Sequence, residues 1–112
     1  MISACSPAQG INKVTHQQAI EAMNQDASIV LVDVRTVAEF NTGHVAGAIN
    51  IPIDDLAISF ESQVSDKSTR LFIICRSGNR SAQASEQLKK MGYTNITDIG
   101  GIINWPHPLI QP

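Results

Sequence analysis

The chain has 112 residues, of which 43% are hydrophobic and 16% are charged, and its formal net charge is −2. This length suits one domain with a single core, the composition is ordinary for a soluble globular protein, and the lack of a basic stripe argues against nucleic acid as the main partner. No apolar run is long enough to span a membrane, and the two cysteines and three histidines lack the spacing of metal ligands.

Residues 1–10 have no core-forming pattern and are typical of a flexible N-terminal tether. Within them, Ile2-Ser3-Ala4-Cys5 resembles the lipobox of a bacterial lipoprotein leader, although the charged and apolar regions that should precede it are missing. We therefore expect a periplasmic or envelope-anchored protein held through Cys5, with a cytoplasmic protein as the alternative. Residues 11–112 are predicted to form the domain.

Two capping-box patterns mark helix starts in the first half of the chain. Thr15 is followed at the right spacing by Gln18, and Thr36 is followed in the same way by Glu39. The first helix is predicted to end within residues 24–26. The second is predicted to be short and to end at Gly43.

A β-branched apolar run at residues 28–34 predicts a buried central strand, and polar side chains cluster just after it. Asp33 and Arg35 stand at its carboxyl end, and Glu39 and His44 follow. We interpret Asp33, Arg35 and Glu39 as supports that hold one another and nearby loops, rather than as catalytic acids and bases. His44 is interpreted as orienting the backbone of its own loop, with a thiol–imidazole pair as the alternative.

The middle of the chain supplies a short strand and a third helix. Pro52 terminates the strand, which follows a tight loop. Asp54 is predicted to cap a helix that runs through Leu56 to about Val64, and a polar turn leads from there to the next strand.

The most informative stretch is residues 71–81. Its apolar start, without polar alternation, predicts a strand buried on both faces of a parallel sheet, with Cys75 at the carboxyl end where ligands bind. A loop with a glycine and two arginines leads into a helix predicted to begin at Ser81, and a helix N-terminus favours negative charge. We therefore interpret Cys75 as a reactive thiolate. The alternative is a buried core cysteine, which gains nothing from a doubly cationic loop.

The end of the chain completes an alternating pattern of strands and helices. The helix after the loop is predicted to stop at Gly92, and a last strand follows at residues 95–99. Gly100-Gly101 allows a sharp turn or a close approach of two backbones. The predicted fold class is α/β, with a single domain built on a mostly parallel central sheet and helices on both faces.

Several ordered motifs in this chain resemble those of the rhodanese domain. They are Asp33-Val34-Arg35, Glu39-Phe40, residues 43–52, Cys75-Arg76-Ser77-Gly78-Asn79-Arg80-Ser81, Gly92-Tyr93, and Gly100-Gly101-Ile102 through Trp105. The resemblance covers about Ile11 to Trp105, which is nearly the whole domain. It implies a single-domain sulfurtransferase similar to the small bacterial rhodaneses, rather than a tandem enzyme.

In rhodaneses a cysteine takes a sulfane sulfur from a donor such as thiosulfate, forms a persulfide, and passes the sulfur to a thiophilic acceptor. The resemblance implies that Cys75 is the nucleophile and that the loop amides cradle the persulfide. It assigns binding of the sulfur donor to Arg76, Ser77, Gly78, Asn79, Arg80 and Ser81. The two arginines favour doubly charged thiosulfate over 3-mercaptopyruvate. Cyanide in the assay, a thiol such as glutathione, or a thioredoxin-like protein is the implied acceptor, and no cofactor is required.

Two other functions stay open at this level. Phosphatases and arsenate reductases on a related fold use a cysteine in an anion-binding loop, but their loop resembles C-x5-R, whereas Cys75 to Arg80 is the shorter C-x4-R. A non-catalytic rhodanese-like module for binding or carrying sulfur is the second alternative. Such modules typically lack the cysteine, so Cys75 favours an enzyme.

Overall fold

A parallel sheet organises the computed structural model, which describes residues 10–111. Its strands are β1 (Ile11–Lys13), β2 (Val30–Asp33), β3 (Ile49–Asn50), β4 (Leu71–Cys75) and β5 (Ile96–Gly101). Within the described residues they pair in the order β1-β5-β4-β2-β3, and each of these pairings is parallel. The predicted parallel sheet is therefore confirmed, and β4 lies at its centre.

Four α-helices accompany these strands in the described part of the chain. They are α1 (His16–Gln25), α2 (Val37–Thr42), α3 (Leu56–Gln63) and α4 (Asn79–Lys90). Both predicted capping boxes are confirmed, because Thr15 and Gln18 exchange hydrogen bonds at 2.9 and 3.1 Å, and Thr36 and Glu39 do so at 3.1 and 3.2 Å. No helix within residues 10–111 is long and apolar enough to cross a membrane.

The helices cover both faces of the sheet, as predicted. On one face, Val32, Ile73 and Cys75 belong to a buried cluster that includes Leu56 of α3 and Leu88 of α4. The opposite face has its own cluster, which contains Leu31, Phe72, Ile74 and Ile99 with Ala19 of α1, and Trp105 packs against it. Strand β4 contributes to both clusters and is buried along its whole length. This explains its apolar sequence, since neither face of the strand meets water.

The structure differs from the sequence prediction at several boundaries. Strand β2 is shorter than the predicted residues 28–34, and β5 continues past the predicted end at residue 99 through Gly101. The short edge strand β1 was not expected, and the pairing of Ile11 with Ile96 holds it on the sheet. Asp54 was predicted to cap α3, and this is wrong, because Asp54 lies within a 3-10 turn, Ile53–Asp55, that leads into the helix. The N-cap residue is Asp55, which makes no side-chain capping bond. Helix α4 begins at Asn79, earlier than the predicted Ser81. Residues 1–9, with Cys5 and the predicted tether, lie outside the described part.

Parallel pairing brings the carboxyl ends of β2 and β4 to one edge of the sheet. In the register, Asp33 lies opposite Ile74, so the segment after β2 and the loop after Cys75 emerge side by side. The amide of Val34 donates to the carbonyl of Ile74 at 3.0 Å and extends this pairing. The edge therefore gathers most of the side chains that the sequence marks as functional.

Candidate active site

Cys75 ends β4 with its sulfur against the start of α4. The residue is buried, with 1% of its surface exposed, yet the backbone N–H of Gly78 donates to its Sγ at 2.9 Å. Gly78 is the N-cap residue of α4 and has no side chain with which to cap the helix. The cysteine sulfur therefore accepts from one of the N–H groups at the start of α4 that have no partner within the helix. Both sequence interpretations describe part of this site, because the thiol is buried and its sulfur also faces a backbone donor.

The first turn of α4 offers further backbone donors. The first intrahelical bond runs from the amide of Ala82 to the carbonyl of Gly78 at 3.2 Å. The amides of Asn79, Arg80 and Ser81 precede it, so they have no acceptor within the helix, and the helix dipole adds partial positive charge there. A negatively charged atom attached to the Cys75 sulfur would meet these groups.

A close contact between two backbones fixes the loop after Cys75. A Cβ atom placed on Gly101 would lie 2.2 Å from the carbonyl oxygen of Arg76 and 2.6 Å from the Cα of Ser77. That carbonyl also accepts a hydrogen bond of 3.2 Å from the amide of Ile103. The predicted close approach at Gly100-Gly101 is confirmed, and Gly101 is the member that provides it.

Arg80 is held by a carboxylate from another segment. Its guanidinium donates to both oxygens of Glu39, with N–O distances of 2.6 and 2.9 Å. Hydrogen bonding by Arg80, together with bonds from the backbone and hydroxyl of Thr36, lowers the pKa of Glu39 to about 2. Glu39 in turn raises the pKa of Arg80. Glu39 thus ties α2 to the first turn of α4, and the guanidinium of Arg80, which was predicted to bind the sulfur donor, is already engaged.

Asp33 and Arg35 form a buried pair at the end of β2. The Arg35 side chain donates to both carboxylate oxygens of Asp33 at 2.8 to 3.0 Å, and it also donates to the carbonyl of Gly43 at 2.7 Å. Asn50 donates to the backbone carbonyls of both residues at 3.0 Å. These contacts agree with the predicted supporting role, although Glu39 supports Arg80 rather than this pair.

His44 makes its contacts within its own neighbourhood. Its ring stacks on Phe40 with a centroid distance of 3.8 Å, and Nδ1 lies 3.2 Å from the Phe40 carbonyl oxygen. Its backbone exchanges two hydrogen bonds with Ile110. This arrangement agrees with the interpretation of His44 as a residue that orders its own loop.

The loop side chains differ in what they present to solvent. Arg76, Ser77 and Asn79 are exposed, whereas Ser81 is fully buried and its hydroxyl donates to the Gly78 carbonyl at 3.0 Å. The resemblance assigned Ser81 to binding of the sulfur donor. The structure gives the hydroxyl a different role, because it holds the turn that positions the Gly78 amide.

A cleft of about 510 Å³ lies beside the loop. Its lining combines polar groups near the loop with an apolar wall and comprises Arg35, Ala38, Glu39, Thr42, Gly43, Arg76, Ile102, Ile103 and Leu109. A second cavity of about 410 Å³ is lined by Ile20, Met23 and Trp105 among others, and none of the predicted site residues lines it. Three predicted site residues, Arg35, Glu39 and Arg76, line the 510 Å³ cleft, whereas Cys75 does not. This cleft is the candidate substrate site.

Sequence reasoning did not identify the apolar wall or the bond that Asn50 makes to the end of β2. Ile102 and Ile103 belong to the matched tail motif, but no local pattern indicates that they line a cleft. The only signal for Asn50 is its place in the stretch that follows His44, where one polar side chain interrupts apolar residues.

Comparisons with known proteins agree with this geometry. The family model described as "Rhodanese-like domain" matches residues 15–106. The thiosulfate sulfurtransferase PspE of Escherichia coli is 35% identical over 80 residues, which cover 71% of this chain and 77% of that protein. The thiosulfate sulfurtransferase GlpE of Tolumonas auensis is 34% identical over 96 residues, with 85% and 88% covered. A solved structure described as a rhodanese with anions from E. coli superposes with a TM-score of 0.69 and 33% identity, covering 75% of this chain and 99% of that one.

Proposed function

This chain belongs to the rhodanese-like domain family, and from that premise we propose that it is a sulfurtransferase working through a persulfide on Cys75. The donor is thiosulfate or a similar sulfane-sulfur anion. The acceptor is a thiophile, which is cyanide in the assay and a thiol or a thioredoxin-like protein in the cell. The contact between the Gly78 amide and the Cys75 sulfur is the observation that carries the proposal.

The first half-reaction loads the cysteine. The Cys75 thiolate attacks the sulfane sulfur of thiosulfate and forms a new sulfur–sulfur bond. The bond between the sulfane sulfur and the sulfonate sulfur breaks, and sulfite leaves with the electron pair. The terminal persulfide sulfur carries the negative charge, and in this proposal the amides of Asn79, Arg80 and Ser81 stabilise it while the Gly78 amide holds the Cys75 Sγ.

The second half-reaction unloads the cysteine. Cyanide attacks the terminal sulfur, thiocyanate forms, and the electron pair of the broken sulfur–sulfur bond returns to Cys75 as a thiolate. With a thiolate acceptor the product is the acceptor's own persulfide. Because each half-reaction leaves the enzyme in a different covalent state, ping-pong kinetics are expected.

Steady-state assays with matched variants test this proposal. Thiocyanate formation from thiosulfate and cyanide should be abolished in Cys75→Ser and retained in Cys5→Ser, since the two substitutions are chemically identical and only one removes the proposed nucleophile. Normal turnover by a folded Cys75→Ser protein would overturn the mechanism. Hydrolysis of p-nitrophenyl phosphate, measured in parallel, should be absent, and turnover of that ester would instead support a phosphatase.

The envelope location stays a prediction, because Cys5 lies outside the described residues. We propose that the protein is anchored through a lipid on Cys5. Fractionation of cells that express the chain from its own gene tests this, with Cys5→Ser as the control. Recovery of the wild-type protein in the cytoplasmic fraction would contradict it.

A further inference from the structure

A β-bulge interrupts the pairing of β5 with β4 beside the loop that follows Cys75. Residues 96–98 pair with β4 in step, and the register then shifts by one residue, so Ile99 has no partner on β4. The next residue, Gly100, has a φ of +82°, in the left-handed region that favours glycine. Because of the shift, Gly101 lies opposite Cys75 in place of Gly100.

The shifted part of β5 is the surface on which the loop rests. A Cβ atom added to Gly101 would lie 2.2 Å from the carbonyl oxygen of Arg76 and 2.6 Å from the Cα of Ser77, so the two backbones are in contact. A Cβ atom added to Gly78 would lie 4.0 Å from the Cα of Gly100. The path of β5 after the bulge therefore sets the position of the loop and of the start of α4.

The side chain of Asp98 spans the bulge. Its Oδ1 accepts a hydrogen bond of 2.9 Å from the amide of Gly100, two residues along the chain, so the bond closes around Ile99. Asp98 is 6% exposed, and within residues 10–111 its carboxylate forms no ion pair and accepts no other hydrogen bond. Burial of a carboxylate is unfavourable unless its contacts compensate. The contact that Asp98 makes in this part of the chain is spent on the backbone of the bulge.

On the premise of the sulfurtransferase function proposed above, we infer that Asp98 is a positioning residue for the Cys75 persulfide. Its carboxylate fixes the Gly100 amide, the bulge then holds Gly101 under the Arg76 carbonyl, and the supported loop keeps the first amides of α4 directed at the terminal sulfur. Without the acceptor on Asp98 the bulge relaxes, and these amides lose their alignment. The persulfide is destabilised more than the free thiolate, because only the persulfide has a terminal sulfur for them to bind.

The equilibrium of the loading half-reaction measures this effect. The Cys75 thiolate and thiosulfate form the Cys75 persulfide anion and sulfite, so charge and atoms balance and the loaded fraction depends on the ratio of sulfite to thiosulfate. Intact mass of the protein, equilibrated at a series of these ratios, gives the loaded fraction. The fraction compares two states of the same folded chain, so a variant that is folded but merely less stable does not change it.

Removal of the acceptor on Asp98 should shift this equilibrium. Asp98→Ala should lower the equilibrium constant for loading about tenfold, the size of one lost hydrogen bond to a charged group. Asp98→Leu keeps a similar side-chain volume without an acceptor, and it should lower the constant in the same way if Asp98→Ala does not fold. Asp98→Asn keeps a carbonyl oxygen that accepts from the Gly100 amide, so its constant should stay within about threefold of wild type.

Asp66 provides the matched control. Its Oδ1 accepts a hydrogen bond of 2.9 Å from the amide of Ser68, also two residues along the chain, in the turn that precedes β4. This turn lies at the amino end of β4, whereas Cys75 lies at its carboxyl end. Asp66→Ala should therefore lower the free energy of unfolding and leave the loading equilibrium unchanged.

The outcomes separate the two proposals. If folded wild type gains no sulfur from thiosulfate even without added sulfite, the sulfurtransferase function itself fails. If wild type loads and the folded Ala or Leu variant of Asp98 loads to the same extent, the inference is overturned and the sulfurtransferase function stands. A loss of loading in Asp98→Asn as large as that expected for Asp98→Ala also overturns it. Reduced loading in Asp98→Ala or Asp98→Leu that is restored in Asp98→Asn, with no change in Asp66→Ala, supports the inference.

Discussion

The ion pair between Glu39 and Arg80 offers the sharpest test of how the loop is held. Glu39→Gln removes the negative charge but keeps the shape of the side chain and one carbonyl oxygen, so the capping bond to Thr36 is retained. In the wild type the guanidinium of Arg80 donates to both oxygens of a full carboxylate at 2.6 and 2.9 Å, and in the variant its partner is neutral. The expected result is a loss of stability that depends on pH.

The lowered pKa of Glu39 sets the size of the expected loss of stability. Its lowering from 4.5 to about 2 corresponds to an upper limit of about 3 kcal/mol of interaction with the ionised form. The side chains of Arg80 and Glu39 are 31% and 30% exposed, so solvent screening reduces this to about 1–2 kcal/mol at neutral pH. Because the folded-state pKa lies below the unfolded one, the contribution is complete above about pH 4.5 and is lost as the pH falls through about 2.

Urea denaturation of wild type and Glu39→Gln at pH 7 and pH 3 measures this effect. The free energy of unfolding should differ by about 1–2 kcal/mol at pH 7 and by less than half of that at pH 3. Glu61→Gln is the matched control, since Glu61 pairs with Lys67 at the surface and should contribute about 0.5 kcal/mol or less. A loss of unfolding free energy in Glu39→Gln that is equal at both pH values would refute the reasoning. So would a double-mutant cycle with Arg80→Gln whose coupling is below about 0.3 kcal/mol.

Three further predictions follow from single contacts at the site. Gly101→Ala should lower the free energy of unfolding by about 1–3 kcal/mol and remove most of the sulfurtransferase activity, because the new Cβ meets the Arg76 carbonyl. Unchanged stability in urea denaturation and unchanged thiocyanate formation would contradict this. Asp33→Asn should destabilise by about 3–5 kcal/mol because it leaves the buried charge of Arg35 unpaired, and a change below 1 kcal/mol in urea denaturation would contradict this. His44→Gln should keep kcat within about twofold, as its contacts are local; a loss of about a hundredfold or more would instead indicate acid–base catalysis by the imidazole.

Local chemistry explains why some features could be predicted from the sequence. Both capping boxes depend on two residues at fixed spacing, so Thr15 and Thr36 mark helix starts whatever the rest of the chain does. The apolar run before Cys75 likewise needs only its own residues to indicate a doubly buried strand. The rhodanese resemblance then supplied the order of the motifs, and the family comparison agrees with it.

Other features depend on contacts that no short stretch of sequence contains. Strand β1 has three residues, and its place is set by its pairing with β5 rather than by a pattern of its own. The partner of Arg80 lies 41 positions away at Glu39, so the sequence showed two cations in the loop and not that one of them is compensated. The start of α4 at Asn79 depends on the left-handed turn at Gly78, which a glycine allows but does not require.

A sulfur atom carried on Cys75 is the central claim, and the intact mass of the protein after brief exposure to a sulfane-sulfur donor tests it most directly. Wild type and Cys5→Ser should each gain one sulfur atom and lose it on addition of cyanide, and Cys75→Ser should gain none. A gain that persists in Cys75→Ser, or no gain in folded wild type with thiosulfate, would contradict the claim.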